Sequence, residues 1–202
     1  MNTFIKLFCV ALMTLGLNAC ASRNNNEAVP ERYSELHFDN KAPIKLNVKT
    51  IEVKSEFTPS FTRPNVEHLF PVSIEKTAKT WARERLEAVD FASNRTAEFV
   101  IQDASVTERE EKAAQLFQKD SLRYHATLKV MMKVVENKAS ANTTVEAYRE
   151  LTMPIDTAIE DKEAHWNEML NNLFQAFDEH MDSNIHKYLN MYIKDDRSIT
   201  QY

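Results

Sequence analysis

The sequence predicts a mixed α+β domain in which two helices pack on one face of a four-stranded, mostly antiparallel sheet, in the order β-α-β-β-β-α. Residues 122–135 alternate between apolar and polar side chains, as a strand does when one face is buried and the other is wet. Residues 73–90 and 158–193 instead repeat apolar side chains at helical spacing. Helices and strands that are apolar on one side only can bury those sides against each other in two layers.

The first strand is expected at residues 44–53, where Ile44 and Leu46 share one face. The apolar phase slips near Thr50, which indicates a strand with a bulge or a strand covered on both faces. Residues 54–72 contain three prolines and are expected to be mostly loop, because proline cannot donate to a ladder of hydrogen bonds.

The first helix is expected at residues 73–90. Ser73 suits its N-cap, since a serine hydroxyl accepts from the free N–H groups of the first turn. Glu75 suits the positive end of the helix dipole. The apolar stripe of this helix consists of Ile74, Ala78, Trp81, Ala82, Leu86 and Val89. A first crossover that contains a helix allows the first two strands to be parallel.

The middle of the chain predicts three further strands. The second strand is expected at residues 97–106, and strands at 122–135 and 142–153 form a hairpin. Residues 108–120 are highly charged and are expected to form a short helix or an irregular excursion. The only exception to the inward apolar set of the last strand is Arg149.

The last helix is expected at residues 158–193. Pro154 ends the preceding strand, and Thr157 with Glu160 matches a capping box. Phe174 lies at the edge of the apolar stripe. The stripe itself consists of Trp166, Met169, Leu170, Leu173, Phe177, Met181, Tyr188, Leu189 and Tyr192.

The beginning of the chain has the pattern of a secretory signal peptide at residues 1–19. Lys6 precedes a short apolar run, and small residues follow it. The run is too short for a transmembrane helix, which needs about 20 apolar residues. Read as a plain signal peptide, it would leave Cys20 as a free thiol. Residues 20–43 are expected to form a flexible tether, residues 44–193 one α+β domain, and residues 194–202 a polar tail.

The segment Leu17-Asn18-Ala19-Cys20 resembles the lipobox of bacterial lipoproteins. This resemblance implies cleavage before Cys20 and lipid chains on its sulfur and amine, so Cys20 is the expected lipidation site. In enterobacterial lipoproteins an aspartate after the cysteine retains the protein in the inner membrane. Ala21 occupies that position here, which implies export to the outer membrane with the domain in the periplasm.

Composition excludes several functions. The net charge of −5, without a basic block, argues against nucleic acid and against electrostatic attraction to anionic lipid headgroups. The single glycine is Gly16, inside the signal peptide. A mature chain without glycine cannot form standard phosphate-binding loops or a nucleophile elbow, and its tight turns must use Asn, Asp or Ser. Of the two cysteines only Cys20 remains after cleavage, so no internal disulfide is expected.

No pattern predicts catalysis, a metal or a cofactor. Ser73 and Lys76 match the S-x-x-K motif of penicillin-binding enzymes, but the K-T-G element of those enzymes is impossible without glycine. The six histidines have no metal-ligand spacing. Leu116 and Phe117 interrupt the charged stretch without a period that would bury them. They are the candidate contact with a protein partner, and the alternative is a local anchor that folds back on the domain.

The predicted topology and the lipobox together resemble those of small outer-membrane lipoproteins. These include the lipopolysaccharide-assembly lipoprotein and the auxiliary lipoproteins of ABC-type lipid transporters. The run of residues 64–73, followed by Trp81-Ala82 and Arg85-Leu86, is similar to uncharacterised lipoproteins of alphaproteobacteria. The resemblance supplies no catalytic or ligand motif, so no functional residue is carried over.

These observations together predict a lipid-anchored envelope protein. Its expected function is that of a non-catalytic accessory or binding module in outer-membrane lipid or polymer transport or assembly, with an envelope protein as partner. Two alternatives remain open from the residues alone. One is an envelope hydrolase acting on cell-wall substrates, and the other is a structural link between membrane and cell wall.

Overall fold

The largest element of the fold is a five-stranded sheet, and the helices pack against it. The computed structural model describes residues 33–114 and 119–194. Its sheet consists of β2 (Thr50–Ser55), β4 (Arg95–Asp103), β5 (Val106–Glu111), β6 (Ser121–Glu136) and β7 (Ala139–Pro154). The long strand β6 pairs with β7 on one side and with β4 and then β5 on the other, all antiparallel, while β2 adds in parallel to β4. The prediction of a mostly antiparallel sheet with a parallel first pair is confirmed.

The prediction of four strands was wrong by one, because the second strand is broken in two. The register against β6 shifts between Ile101 and Asp103, and the Asp103 carboxylate accepts from the backbone N–H of Ser105 at 3.0 Å. The chain then continues as β5, although its charged sequence predicted a short helix or an irregular excursion. This charged segment forms a strand because its backbone pairs with β6, and only alternate residues of a strand face inward. The inward-facing Glu108 is neutralised by an ion pair with Arg63.

A second, two-stranded parallel sheet corrects two more boundaries. It pairs β1 (Ile44–Leu46) with β3 (Leu86–Ala88), so the predicted strand at 44–53 is two strands in two sheets. The phase slip at Thr50 marks this change of sheet and not a bulge. The first helix, α1 (Ile74–Arg85), ends five residues earlier than predicted because Leu86 is extended, with φ −116° and ψ 130°, and pairs with Ile44.

The caps of the two helices differ from each other. At α1 the Ser73 hydroxyl accepts from the Lys76 N–H at 3.3 Å, as predicted. At α2 (Ile159–Tyr188) the predicted capping box is wrong. Ala158 is the N-cap residue, and the Thr157 hydroxyl donates back to the Pro154 carbonyl at 2.7 Å. Short 3₁₀ turns lie before α1, at Glu67–Leu69, and after α2, at Asn190–Tyr192. Within the described residues no helix has both the length and the apolar character needed to span a membrane.

The turn between β6 and β7 illustrates a chain without glycine. Asn137 adopts φ 54°, and it is the only non-glycine residue with positive φ in the described part of the chain. Asparagine tolerates this left-handed conformation better than most residues with a Cβ atom, so it takes the place that glycine often has in two-residue hairpins.

Both helices pack on the same face of the large sheet, as predicted. Trp81 of α1 stacks on Phe99 of β4 with 5.5 Å between ring centroids, and it meets Phe177 of α2 edge-on at 5.2 Å. Near the start of α2, Trp166 stacks on Phe70, which lies in the loop before α1, with 4.6 Å between ring centroids. Two predictions about the apolar stripe of α2 were inaccurate. Tyr188, predicted within the stripe, is 53% exposed, and Phe174, predicted at its edge, is only 1% exposed.

Phe174 is buried because residues 33–42, here called the strap, pack over the helices. Its ring lies 5.8 Å from that of Phe38 in the strap. Glu84 of α1 accepts from the Phe38 N–H at 2.6 Å and contacts the His37 ring at 2.7 Å. The strap is part of the segment that was predicted to be a flexible tether, and its contacts show that residues 33–42 pack on the domain. The tether prediction is left for residues 20–32, which lie outside the described residues.

A buried charged cluster joins the two helices and the strap. Asp178 of α2, only 4% exposed, accepts from the Trp81 indole at 2.8 Å and from the Arg85 guanidinium at 3.0 Å, and it pairs with Lys41 of the strap. Arg85, 2% exposed, also pairs with Asp182 at 2.6 Å and donates to the Ala42 carbonyl. Burial alone raises the pKa of Asp178, but hydrogen bonds from Lys41, Trp81 and Arg85 outweigh it and hold the pKa below its usual range.

We expect Asp178→Asn to lower the free energy of unfolding by about 3 kcal/mol, because Arg85 would remain buried with one charged partner fewer. The matched control is Asp156→Asn, which removes the same charge from a surface ion pair with Lys119 whose two side chains are both more than half exposed. That control should cost less than about 1 kcal/mol. Urea denaturation measures both, and equal losses would contradict the role given to Asp178.

The pH dependence of stability in wild type and Asp178→Asn gives a second test. A carboxyl group with a lowered pKa in the folded state stabilises above its unfolded pKa of about 3.9, and that contribution is lost as the pH falls through the folded value. The stability difference between wild type and Asp178→Asn should therefore be constant at neutral pH and shrink below about pH 4.

Candidate functional site

The face of the large sheet opposite the helices is mainly polar. Lys54 of β2 pairs with Glu98 of β4 at 2.7 Å, and Lys133 of β6 reaches the same carboxylate at 3.7 Å. Lys129 of β6 pairs with Glu146 of β7 at 3.3 Å. These cross-strand pairs keep the face soluble.

A depression of about 430 Å³ lies on this face, where β5, β6 and β7 run side by side. Strand register explains why its residues meet. Thr107, His125 and Glu150 are direct cross-strand partners in one row, and Arg109 lies opposite Arg123 in the next row of β5 and β6. The lining is completed by Glu111.

Arg123 is the centre of the hydrogen bonding in the depression. It donates to Glu150 at 2.6 Å and to Glu111 at 3.2 Å, and Glu150 also contacts the His125 ring at 3.2 Å. The hydrogen bond from Arg123, followed by that from His125, holds the pKa of Glu150 below its usual range. Glu150 therefore stays ionised to a lower pH than an ordinary glutamate.

Arg109 differs from Arg123. Among the described residues it has no hydrogen-bond or ion-pair partner, and its side chain is exposed. The His125 ring, which also lines the depression, stacks on Tyr148 of β7 with 5.6 Å between centroids and 20° between planes. A free guanidinium in such a depression can bind an anionic group on a ligand or a partner, since guanidinium donors match carboxylate and phosphate geometry.

The predicted site residues lie outside the described part of the chain. This holds for Cys20, the expected lipidation site, and for Leu116 and Phe117, the candidate partner contact. The residues that flank the latter pair are described. The Ala113 N–H donates to Asp120 at 2.8 Å, and Lys119 pairs with Asp156, so the segment leaves and rejoins the sheet at one place.

The residues of the depression were not predicted as a site. The sequence places His125 on the wet face of a strand, but it does not reveal that Thr107 and Glu150 lie beside it. Only the register of two pairings brings them together. Ser73 serves as a helix cap, as expected. Within residues 33–114 and 119–194, no group of three His, Cys, Asp or Glu side chains is placed to hold a metal ion.

Two solved lipoprotein structures are similar to parts of this chain. Rare lipoprotein B from Shewanella oneidensis is 13% identical with a TM-score of 0.40, over 70% of this chain and 98% of that one. A minor lipoprotein from Acinetobacter baumannii is 12% identical with a TM-score of 0.38, over 69% of this chain and 94% of that one. No family model matches the chain, and no curated protein matches it significantly in sequence. At such identities and scores, function has to be argued from this chain's own residues.

The hydrogen bonds of the depression predict the titration of Glu150. In Arg123→Gln the pKa of Glu150 should rise towards its ordinary value of 4.5, because Arg123 is the main cause of its lowering. Carboxyl-carbon NMR over the acidic range measures this. Lys129→Gln removes a cation from the same face that does not contact Glu150, and it should leave the pKa unchanged. A Glu150 pKa that does not respond to Arg123→Gln would contradict the pairing.

Proposed function

We propose that this protein is a lipid-anchored envelope protein whose domain acts as a non-catalytic binding module in outer-membrane lipid or polymer transport or assembly. The observation that carries the binding role is the outer face of the sheet, where the free Arg109 lines a depression together with His125. Exposed charged and aromatic groups held on rigid strands are suited to recognition, because binding costs them little ordering.

The location in this proposal comes from Cys20. The signal-like segment before it and the lipobox resemblance support lipidation, and Ala21 supports the outer membrane. Lipid chains contribute about 0.8 kcal/mol per buried CH₂, so two or three chains are sufficient for stable attachment.

We expect Cys20→Ser to release the protein from membranes while the domain remains folded, because Cys20 lies outside the domain and provides the attachment. The measurement is fractionation of wild type and variant, with circular dichroism of the released protein as the test of folding. Cys9→Ser, which lies within the predicted signal peptide, is the control and should stay in the membrane fraction. A correctly processed Cys20→Ser protein that stays in the washed membrane pellet would sink the lipid-anchor proposal.

The binding role predicts that charge reversal at Arg109 removes the partner. When the protein is purified from detergent-solubilised envelopes, Arg109→Glu should copurify with at least about tenfold less of the envelope protein that accompanies wild type. The reason is that the anionic group of the partner would then face the carboxylate of the new glutamate. Lys138→Glu makes the same change of charge in the turn after β6, away from the depression. Equal loss in the two variants would point to net charge and not to the site. Recovery of peptidoglycan fragments in place of a protein would favour a structural link to the cell wall.

The second candidate function is the hydrolase, and one observation favours it. Thr107, His125 and Glu150 form a hydroxyl–imidazole–carboxylate row across three strands, with His125 and Glu150 at 3.2 Å. The row is open to water, since His125 is 42% and Glu150 is 43% exposed, and Glu150 is shared with Arg123. Release of soluble cell-wall fragments by wild type but not by Thr107→Val would replace the binding proposal with this one.

A further inference from the structure

A second cavity lies on the helix side of the molecule, between the loop that follows β2 and the start of α1. It has a volume of about 230 Å³. Four aromatic rings line it, from Phe57, Phe61, His68 and Phe70, together with the carboxylates of Glu67 and Glu75. This combination differs from the open face of the sheet, because the cavity is mainly aromatic and its charged groups are both acidic.

The two carboxylates of this cavity are in different electrostatic states. Glu75 is paired with Lys79 at 2.6 Å, so its charge is already balanced. Glu67 uses one oxygen, Oε1, to accept from the Ser60 N–H at 2.8 Å. Its other oxygen, Oε2, is buried and has no hydrogen-bond partner among the described residues. A buried carboxylate oxygen without a donor is unfavourable, and a cation bound beside the carboxylate would offset part of that cost through its charge.

The aromatic rings favour a cation over a neutral donor. Phe61 is 73% exposed at the rim of the cavity, where its ring lies 5.5 Å from that of His68. Phe70 is buried at the inner wall and held there by its stack on Trp166. Aromatic faces attract ammonium groups that lie within about 6 Å of the ring centroid. Phe61 and Glu67 line the same cavity, which therefore offers such a group both an apolar wall and a counter-charge.

We propose that this cavity binds an alkylammonium group. The carboxylate of Glu67 accepts the N–H donors, Phe61 and Phe70 cover the alkyl chain, and an anionic ligand is excluded by the two carboxylates. The volume suits a small group and not a whole lipid or a folded peptide. A primary ammonium on a short chain occurs in the ethanolamine headgroup of phospholipids and in lysine side chains, and both present this chemistry. The proposal stands independently of the lipid anchor and of the open face.

The probe for this site is propylammonium chloride, titrated into the purified full chain at constant ionic strength and followed by ¹H–¹⁵N NMR. We expect saturable shifts around residues 60–70 with a dissociation constant of about 1–10 mM, typical of a small ligand with few contacts. Glu67→Gln, which keeps the shape and removes the charge, should weaken binding at least about tenfold. Phe61→Ala should weaken it about threefold to tenfold.

Controls separate this proposal from simple filling of an apolar cavity. Propan-1-ol and sodium propionate have the same chain without the positive charge and should not saturate the site. Glu75→Gln removes a carboxylate that is already paired and should have the smaller effect of the two glutamate variants. Thermal unfolding of each variant without the probe checks that the fold is intact.

The outcome that overturns the proposal is equal binding by wild type and a folded Glu67→Gln, equal binding of propan-1-ol, or no saturable shift up to 100 mM propylammonium. If binding is found, glycerophosphoethanolamine and Nα-acetyl-lysine methylamide distinguish the two sources. Tighter binding of the first identifies a lipid headgroup, and tighter binding of the second identifies a lysine side chain. Either result supports the ammonium site.

Discussion

The buried pairing of Asp178 with Arg85 is the interaction on which the rest of the helix layer depends. Asp178 lies on the long helix α2, and Arg85 is the last residue of the short helix α1. A buried charged group without its partner would lose its hydration, and no ion pair would compensate for that loss. The pair therefore fixes where α1 lies against α2, and Trp81 is fixed with it because its indole donates to the same carboxylate.

The strap extends that arrangement to the segment that precedes the domain. Lys41 and the Ala42 carbonyl join the Asp178–Arg85 pair, and further along the strap His37 meets Glu84. The hydrogen bond to Glu84 raises the pKa of His37, so protonation of His37 favours the docked strap. Twelve residues, 21–32, then separate Cys20 from the first described residue. Fully extended they span at most about 45 Å, which limits how far a lipid anchor at Cys20 would let the domain move from a membrane.

The two candidate binding regions lie on opposite sides of the sheet and differ in chemistry. The open face has a free arginine and exposed ion pairs, and its geometry comes from strand register. The aromatic cavity has an unsatisfied carboxylate, and its geometry comes from a proline-containing loop that packs on α1. The two proposed sites therefore differ in the charge of the group that each would recognise.

The sequence by itself determined the elements whose signals are local. The alternation of residues 122–135 identified β6, and the apolar stripes identified both helices on one face of the sheet. The cap at Ser73 could also be predicted, since it depends on a side chain and a backbone group three residues apart.

Only the tertiary structure decided the features that depend on residues distant in the chain. The charged segment Val106–Glu111 is a strand because β6 offers it backbone partners, and Leu86–Ala88 leaves the helical pattern because β1 does the same. The depression around Arg109, the cavity around Glu67 and the burial of Arg85 against Asp178 follow from such pairings. The physical reason is that periodicity reports which face of a segment is apolar, whereas register and the neutralisation of buried charge depend on which segment comes to lie beside it.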